Sequence, residues 1–222
     1  MQYLFHTQSS EPSLTLTGDE HRYIFKVRRH KEGETIALRN LRDEQIYFYK
    51  IGSLDKKQAD LELENSKILS VKSKKSLQIA WCVIDPKSVE KVLPTLNEMG
   101  VDKITFIYCS RSQKSFKPDF KRLRKILLNS SQQSGRSTLM KLEIQNSLED
   151  FLEKNPLTVM LNFSEYILEE NSNKNTFLIG CEGGFTKDEV ALFKSHNIIG
   201  LDTPLILKSE SAVCAVASKL LL

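Results

Sequence analysis

The stretch Phe177-Leu178-Ile179-Gly180-Cys181-Glu182-Gly183-Gly184-Phe185-Thr186 constrains this chain more than any other. Its three leading apolar residues read as a strand buried on both faces, as strands of parallel sheets are. Gly180, Gly183 and Gly184 let the backbone turn sharply and approach a neighbour closely. Thr186 and Glu189 make the capping-box pattern Thr-Lys-Asp-Glu, so a helix starts at once. Strand, glycine-rich turn and helix start together set backbone N–H donors at the carboxyl edge of a sheet, where open α/β folds bind ligands. A plain tight turn uses the same residue types, so the motif gains its meaning from the segments around it. A second strand, from Ile198 to Leu201, leads into Pro204-Leu205-Ile206-Leu207-Lys208-Ser209-Glu210-Ser211-Ala212 and a final helix.

Upstream, two rhythms divide the chain. Residues 1–70 show no α/β alternation. Tyr3-Leu4-Phe5 and Leu14-Thr15-Leu16 are short strand candidates, and Thr17 is placed to cap a helix running to Val27. Thr35–Leu38, Gln45–Ile51 and Ala59–Leu63 follow as strands separated by polar turns, a spacing that predicts a small barrel. The polar, basic run Ser70–Ser76 reads as a linker. From Leu77 strands and helices alternate. Leu77–Ile84 and Ile104–Tyr108 are buried strands. Val89, Val92, Leu93, Leu96 and Met99 have helical spacing, and Gly100 stops that helix. Phe120, Leu123, Ile126 and Leu127 mark a long basic helix ending near Gly135. Leu142–Ile144 and Val159–Phe163 are strands, Leu148–Leu152 is a short helix, and the helix opened by Thr186 runs to Lys194. Such alternation predicts a parallel sheet with helices on both faces. The domains are therefore residues 1–70 and 71–222.

Composition narrows the function. A net charge of +4 on 222 residues decides little. Clustering says more: Arg22, Lys26, Arg28, Arg29, His30 and Lys31 lie together, as do Lys114, Lys117, Lys121, Arg122, Arg124 and Lys125. Such clusters suit phosphate backbones, although each alone also fits a solvated face. The four cysteines lack CxxC spacing, which argues against a thiolate metal site. Cys82 and Cys109 lie in apolar runs and read as small buried hydrophobes in a reduced, cytoplasmic protein. No signal-peptide pattern and no run long enough to cross a bilayer are present.

At this point the residues resemble a known family, the ribosomal-RNA uridine-N3 methyltransferases of the SPOUT, or α/β trefoil-knot, superfamily. The family's Gly-Pro-Glu-Gly-Gly-Phe-Thr corresponds to Gly180–Thr186, with Cys181 for proline. Its Arg-Ile-Leu-Arg-Thr-Glu-Thr-Ala corresponds to Leu205–Ala212, and its Glu-Gln-Ser-Gly-Arg to Gln132–Arg136. Its Glu-Leu-Gly-Val corresponds to Glu98–Val101, and His21–Gly33 is similar to its helix and turn in a PUA-like barrel. The chain departs from the pattern at Cys181, at Leu205 and Lys208 (both arginine in the family), at Thr203 (glycine) and at Gln132 (glutamate).

The resemblance implies an α/β C-terminal trefoil-knot methyltransferase domain with a parallel sheet, and an N-terminal PUA-like β-barrel that binds RNA. It implies S-adenosylmethionine as cofactor, no metal and no membrane partner. A homodimer would methylate N3 of a uridine in 16S ribosomal RNA within the small subunit. The implied cofactor residues are Leu161, Gly180, Glu182, Gly183, Gly184, Leu201, Leu205, Ile206 and Leu207. The implied RNA contacts are Arg22, Arg28, Arg29, Arg111, Arg122 and Arg124. Uridine N3 lies on the pairing edge, so the base must be unpaired or swung out. Its developing negative charge needs a cation, for which Lys208 and Arg136 are the candidates. Glu210 either orients a cation, accepts a proton or serves only as a first-turn carboxylate. Two other readings remain beside this one. One is a non-catalytic ribosomal-RNA-binding knot protein. The other is a knot methyltransferase acting on another RNA or on a ribose hydroxyl.

Overall fold

A computed structural model describes all residues, 1–222, as two compact units. The first comprises Met1–Lys72 and Ser131–Thr138; the second comprises Ser73–Ser130 and Leu139–Leu222.

The first unit is built on a five-stranded mixed sheet. Its strands are β1 (Leu4–Phe5), β2 (Ser13–Thr17), β3 (Thr35–Arg39), β4 (Gln45–Leu54) and β5 (Gln58–Ile68), in the order β1-β3-β4-β5-β2. Period-two alternation drives this half-barrel. In β2, Leu14 and Leu16 are buried while Ser13, Thr15 and Thr17 face solvent. Leu38, Tyr49, Ile51 and Leu61 complete the same core. Arg39 is buried and donates to the carbonyls of Gln45 (3.2 Å) and Leu69 (2.7 Å).

The helix expected from Thr17 to Val27 forms differently. Thr17 ends β2, and its side chain makes no cap; Gly18 turns the chain at φ +56°. The α-helix α1 covers only Gly18–His21, and Arg22–Val27 continues as a π-helical turn. Residues 131–138 belong to this unit by direct contacts. The Gln132 side chain accepts from the Phe5 N–H at 2.8 Å, and the Arg136 carbonyl accepts from the Tyr3 hydroxyl at 2.8 Å. Gly135 has φ +81°, and a β-carbon there would come within 2.6 Å of the Met1 carbonyl, so only glycine fits.

The second unit holds a six-stranded, wholly parallel sheet. Its strands are β6 (Gln78–Cys82), β7 (Lys103–Ile107), β8 (Lys141–Gln145), β9 (Val159–Leu161), β10 (Thr176–Ile179) and β11 (Ile198–Ile199), in the order β11-β9-β10-β6-β7-β8. The helices are α2 (Pro86–Met99), α3 (Phe120–Ser134, in this unit up to Ser130), α4 (Leu148–Lys154), α5 (Lys187–Ala191) and α6 (Ser209–Leu221). Their ends follow local chemistry. Asp85 caps α2 by accepting from the Ser88 N–H at 3.1 Å, Pro86 opens the helix, and Gly100 closes it in a left-handed conformation. The α2 residues Val89, Leu93 and Leu96 are buried, and α2 packs beside α6. The central strands β6 and β10 are buried on both faces, as expected of a parallel sheet.

Three expectations are corrected here. The helix opened by Thr186 ends at Ala191 rather than Lys194, and β11 stops at Ile199 rather than Leu201. Cys82 and Cys109 are buried as expected, but they form a disulfide and are not free thiols. Adjacent parallel strands bring their Cα atoms to 5.7 Å, within the range a disulfide requires.

Candidate active site

The glycine turn lies where the sequence puts it, at the carboxyl end of β10. The capping box behind it is complete. Thr186 Oγ1 accepts from the Glu189 N–H at 3.2 Å, and Glu189 Oε2 accepts from the Thr186 N–H at 2.8 Å. Glu189 Oε1 also accepts from the Ser110 N–H at 2.8 Å, fastening the loop after β7 to the start of α5.

Burial pushes the Glu189 carboxyl pKa up, but hydrogen bonds from Ser110 and Thr186 pull it down further, and it lies below its ordinary value. A depressed folded value means the carboxylate stabilises the fold above its unfolded pKa of about 4.3 and loses that contribution as pH falls through the folded value. Glu189→Gln is therefore expected to lower the melting temperature at neutral pH and to flatten the acid loss of stability below about pH 5. Melting curves across that range check this; an unchanged pH profile would show that the carboxylate carries no linkage.

Beside the turn opens a cavity of about 590 Å³, formed by the segments after β9, β10 and β11 and the start of α6. Its size falls within the range of small-molecule sites, roughly 300–1,000 Å³. All nine residues implied as cofactor contacts line it: Leu161, Gly180, Glu182, Gly183, Gly184, Leu201, Leu205, Ile206 and Leu207. Lys208 lines it too, exposed, in extended backbone at the N-cap of α6. Gly184 adopts φ +65°, and a β-carbon there would meet no protein atom within 4 Å. A β-carbon on Gly183 would lie 3.2 Å from the Arg111 side chain, whose guanidinium donates to the Gly183 carbonyl at 2.5 Å. Arg111 thus touches the glycine turn itself. The apolar wall fits an adenine ring: Leu205 and Ile206 are 70% and 82% exposed, which large aliphatic side chains adopt where something else is to cover them. The residues present fit S-adenosylmethionine.

The remaining candidates are distributed as follows. Glu210 is half-buried in the first turn of α6; burial of the Cys214 thiol raises its pKa, and the charge of Glu210 adds to the rise. Arg136 is 5% exposed in the first unit. Arg22 and Arg29 are exposed on the first unit, and Arg28 donates to the Tyr23 hydroxyl at 2.8 Å and stacks over its ring. Arg122 and Arg124 are exposed on α3, with Arg122 paired to Glu90 at 2.6 Å.

Sequence reasoning missed three residues here. Gly200 lets two cavity loops meet: its N–H donates to the Tyr166 carbonyl at 2.7 Å, and its carbonyl accepts from the Leu168 N–H at 2.8 Å. Ser209 and Trp81 hydrogen-bond to each other at 2.8 Å across 128 positions of sequence. A glycine after a strand was a visible signal for the first; nothing local signalled the others.

Residues 71–221 match the family model described as RNA methyltransferase domain, and residues 16–64 match that of the RNA methyltransferase PUA domain. A methyltransferase of Legionella pneumophila, solved in complex with S-adenosylmethionine, has a TM-score of 0.80 at 23% identity over 97% of this chain and 95% of that one. The ribosomal RNA small subunit methyltransferase E of Neisseria gonorrhoeae, bound to S-adenosylmethionine, has a TM-score of 0.79 at 18% identity over 98% and 95%. The fold and these matches define an RNA methyltransferase with a PUA domain. Ribosomal RNA small subunit methyltransferase E of Helicobacter pylori strain 26695 is 35% identical over 222 residues, 98% of each chain, and that of Aquifex aeolicus is 23% identical over 231 residues, 99% of each. The chain belongs to the ribosomal RNA small subunit methyltransferase E family.

Proposed function

We propose that this protein transfers the methyl group of S-adenosylmethionine to N3 of a uridine in 16S ribosomal RNA of the small subunit. One observation carries the reading: the nine residues that the resemblance implies as cofactor contacts line a single cavity at the carboxyl edge of a parallel sheet. When bound, S-adenosylmethionine supplies an already activated methyl group. The protein's task is then to bind, orient and exclude water. Leu205, Ile206 and Leu207 cover the apolar part of the ligand, and the glycine turn admits it close to the backbone. Lys208, exposed at the cavity, offers its ammonium to the uracil oxygens as N3 loses its proton. Glu210, in the first turn of α6, orients that cation or accepts the proton. Arg136 is the less accessible of the two cations, since its burial would have to be relieved before it met a base.

The working form in this reading is a cytoplasmic homodimer. The exposed apolar side chain of Phe163 at the cavity (78% exposed) supports a covering partner. No helix is long and apolar enough to cross a membrane.

The first unit and α3 carry the RNA through phosphate contacts. Replacing Arg28 and Arg29, or Arg122 and Arg124, with alanine is expected to weaken RNA binding and to reduce the slope of log affinity on log salt by about one to two. Arg29 and Arg124 carry more of this than Arg28 and Arg122, which already have partners. Filter binding across a salt series measures it; an unchanged slope would make these ordinary solvated faces.

Calorimetry with S-adenosylmethionine separates the enzyme from a non-catalytic RNA-binding protein. Binding in the micromolar range supports the enzyme, and no binding by the folded protein contradicts it.

A further inference from the structure

Trp81 is the only tryptophan of the chain and is fully buried in β6. Its indole Nε1–H donates to Ser209 Oγ at 2.8 Å, and Ser209 Oγ lies 2.5 Å from the Gly180 carbonyl oxygen. An indole N–H can only donate, and a carbonyl can only accept. The direction is therefore fixed: the hydroxyl accepts from Trp81 and gives its single proton to Gly180. Ser209 is 5% exposed, and both it and Gly180 line the cavity. One oxygen thus joins β6, the turn after β10 and the first residue of α6.

Peptide planarity carries the constraint one atom further. With the Gly180 C=O held against Ser209, the Cys181 N–H must point the opposite way. The turn from Cys181 to Gly184 starts from that plane. Ser209 is not engaged in capping its own helix: the N-cap position is Lys208, which makes no side-chain cap. Its hydroxyl is committed to two other elements.

We propose that Ser209 is a positioning residue for the cofactor turn. Its hydroxyl holds the Gly180 peptide in the orientation that receives S-adenosylmethionine, and Trp81 holds the hydroxyl. The inference rests on the cofactor reading given above. Alanine at 209 leaves a buried indole N–H and a half-buried carbonyl without partners, whereas threonine keeps the hydroxyl.

S-adenosylmethionine binding is measured by calorimetry and by the fluorescence of Trp81, with folding followed by circular dichroism and thermal melting. The expected results are a wild-type emission that changes on cofactor addition, an affinity for Ser209→Thr within about threefold of wild type, and one for Ser209→Ala weaker by about tenfold or more. A folded Ser209→Ala protein with a lower melting temperature and wild-type affinity would reduce the hydroxyl to a structural role and overturn the proposal. Where the alanine variant does not fold, wild-type fluorescence decides: emission unchanged at saturating cofactor overturns it. A wild-type protein that binds no S-adenosylmethionine by calorimetry sinks the cofactor reading instead, so the two failures are distinguishable.

Discussion

Lys208→Ala is expected to slow methyl transfer by about 10²- to 10³-fold at saturating small subunits, a loss of about 2.7–4 kcal/mol of transition-state stabilisation. Lys208 is exposed, lines the cavity and precedes α6 without capping it, so its removal costs the fold little. An ammonium that meets charge only as the uracil N3 deprotonates contributes to the transition state more than to binding. Loss of such a group lowers turnover and leaves S-adenosylmethionine affinity within about twofold. Lys208→Arg is expected to keep activity or raise it, because the planar fork can meet a uracil oxygen and a phosphate together. If Lys208 only binds phosphate, alanine raises the Michaelis constant for RNA and spares the chemical step. Single-turnover rates at saturating subunits separate the two: a wild-type rate would remove the catalytic role.

Gly200→Ala is expected to destabilise the second unit and weaken S-adenosylmethionine binding by tenfold or more. An added β-carbon would stand 2.9 Å from the Ser164 carbonyl oxygen and 3.3 Å from the Ser164 N. These are backbone atoms, so no rotamer change relieves the contact. The same residue holds the loop after β9 through its bonds to Tyr166 and Leu168. Overpacking of this kind typically costs about 1–3 kcal/mol. In a chain of this size that lowers the melting temperature by roughly 2–4 °C per kcal/mol. Asn162, Ser164 and Gly200 all line the cavity, so separating the loops changes its shape as well. A variant with wild-type melting and affinity would show that the two loops need no such close approach.

What the sequence revealed was local. Three apolar residues before a glycine turn became the doubly buried β10, and Thr186 with Glu189 became a complete capping box. Asp85-Pro86 and Gly100 bounded α2 by their own backbone preferences. Seven of the nine residues that the resemblance implies as cofactor contacts lie in two short motifs, Gly180–Thr186 and Leu205–Ala212, and those motifs fold back on one cavity. What stayed hidden depends on register between distant segments. The Cys82–Cys109 bond exists because β6 and β7 pair in parallel with Cys82 opposite Ile107. The Trp81–Ser209–Gly180 chain needs three segments far apart in sequence. The π-helical turn at Arg22–Val27 follows a helix that Gly18, not a Thr17 cap, begins. Residues 131–138 cluster with the first unit through bonds to Tyr3 and Phe5 that no periodicity announces.

Production of 3-methyluridine in small-subunit RNA is the activity that the family and the cavity imply for this chain. Nucleoside mass spectrometry of 16S ribosomal RNA from a strain lacking the gene, with and without complementation, tests it most directly. One 3-methyluridine is expected to disappear on deletion, to return with the wild-type gene and to fail to return at normal level with Lys208→Ala. A 16S nucleoside profile identical in the deletion strain and its parent would contradict it.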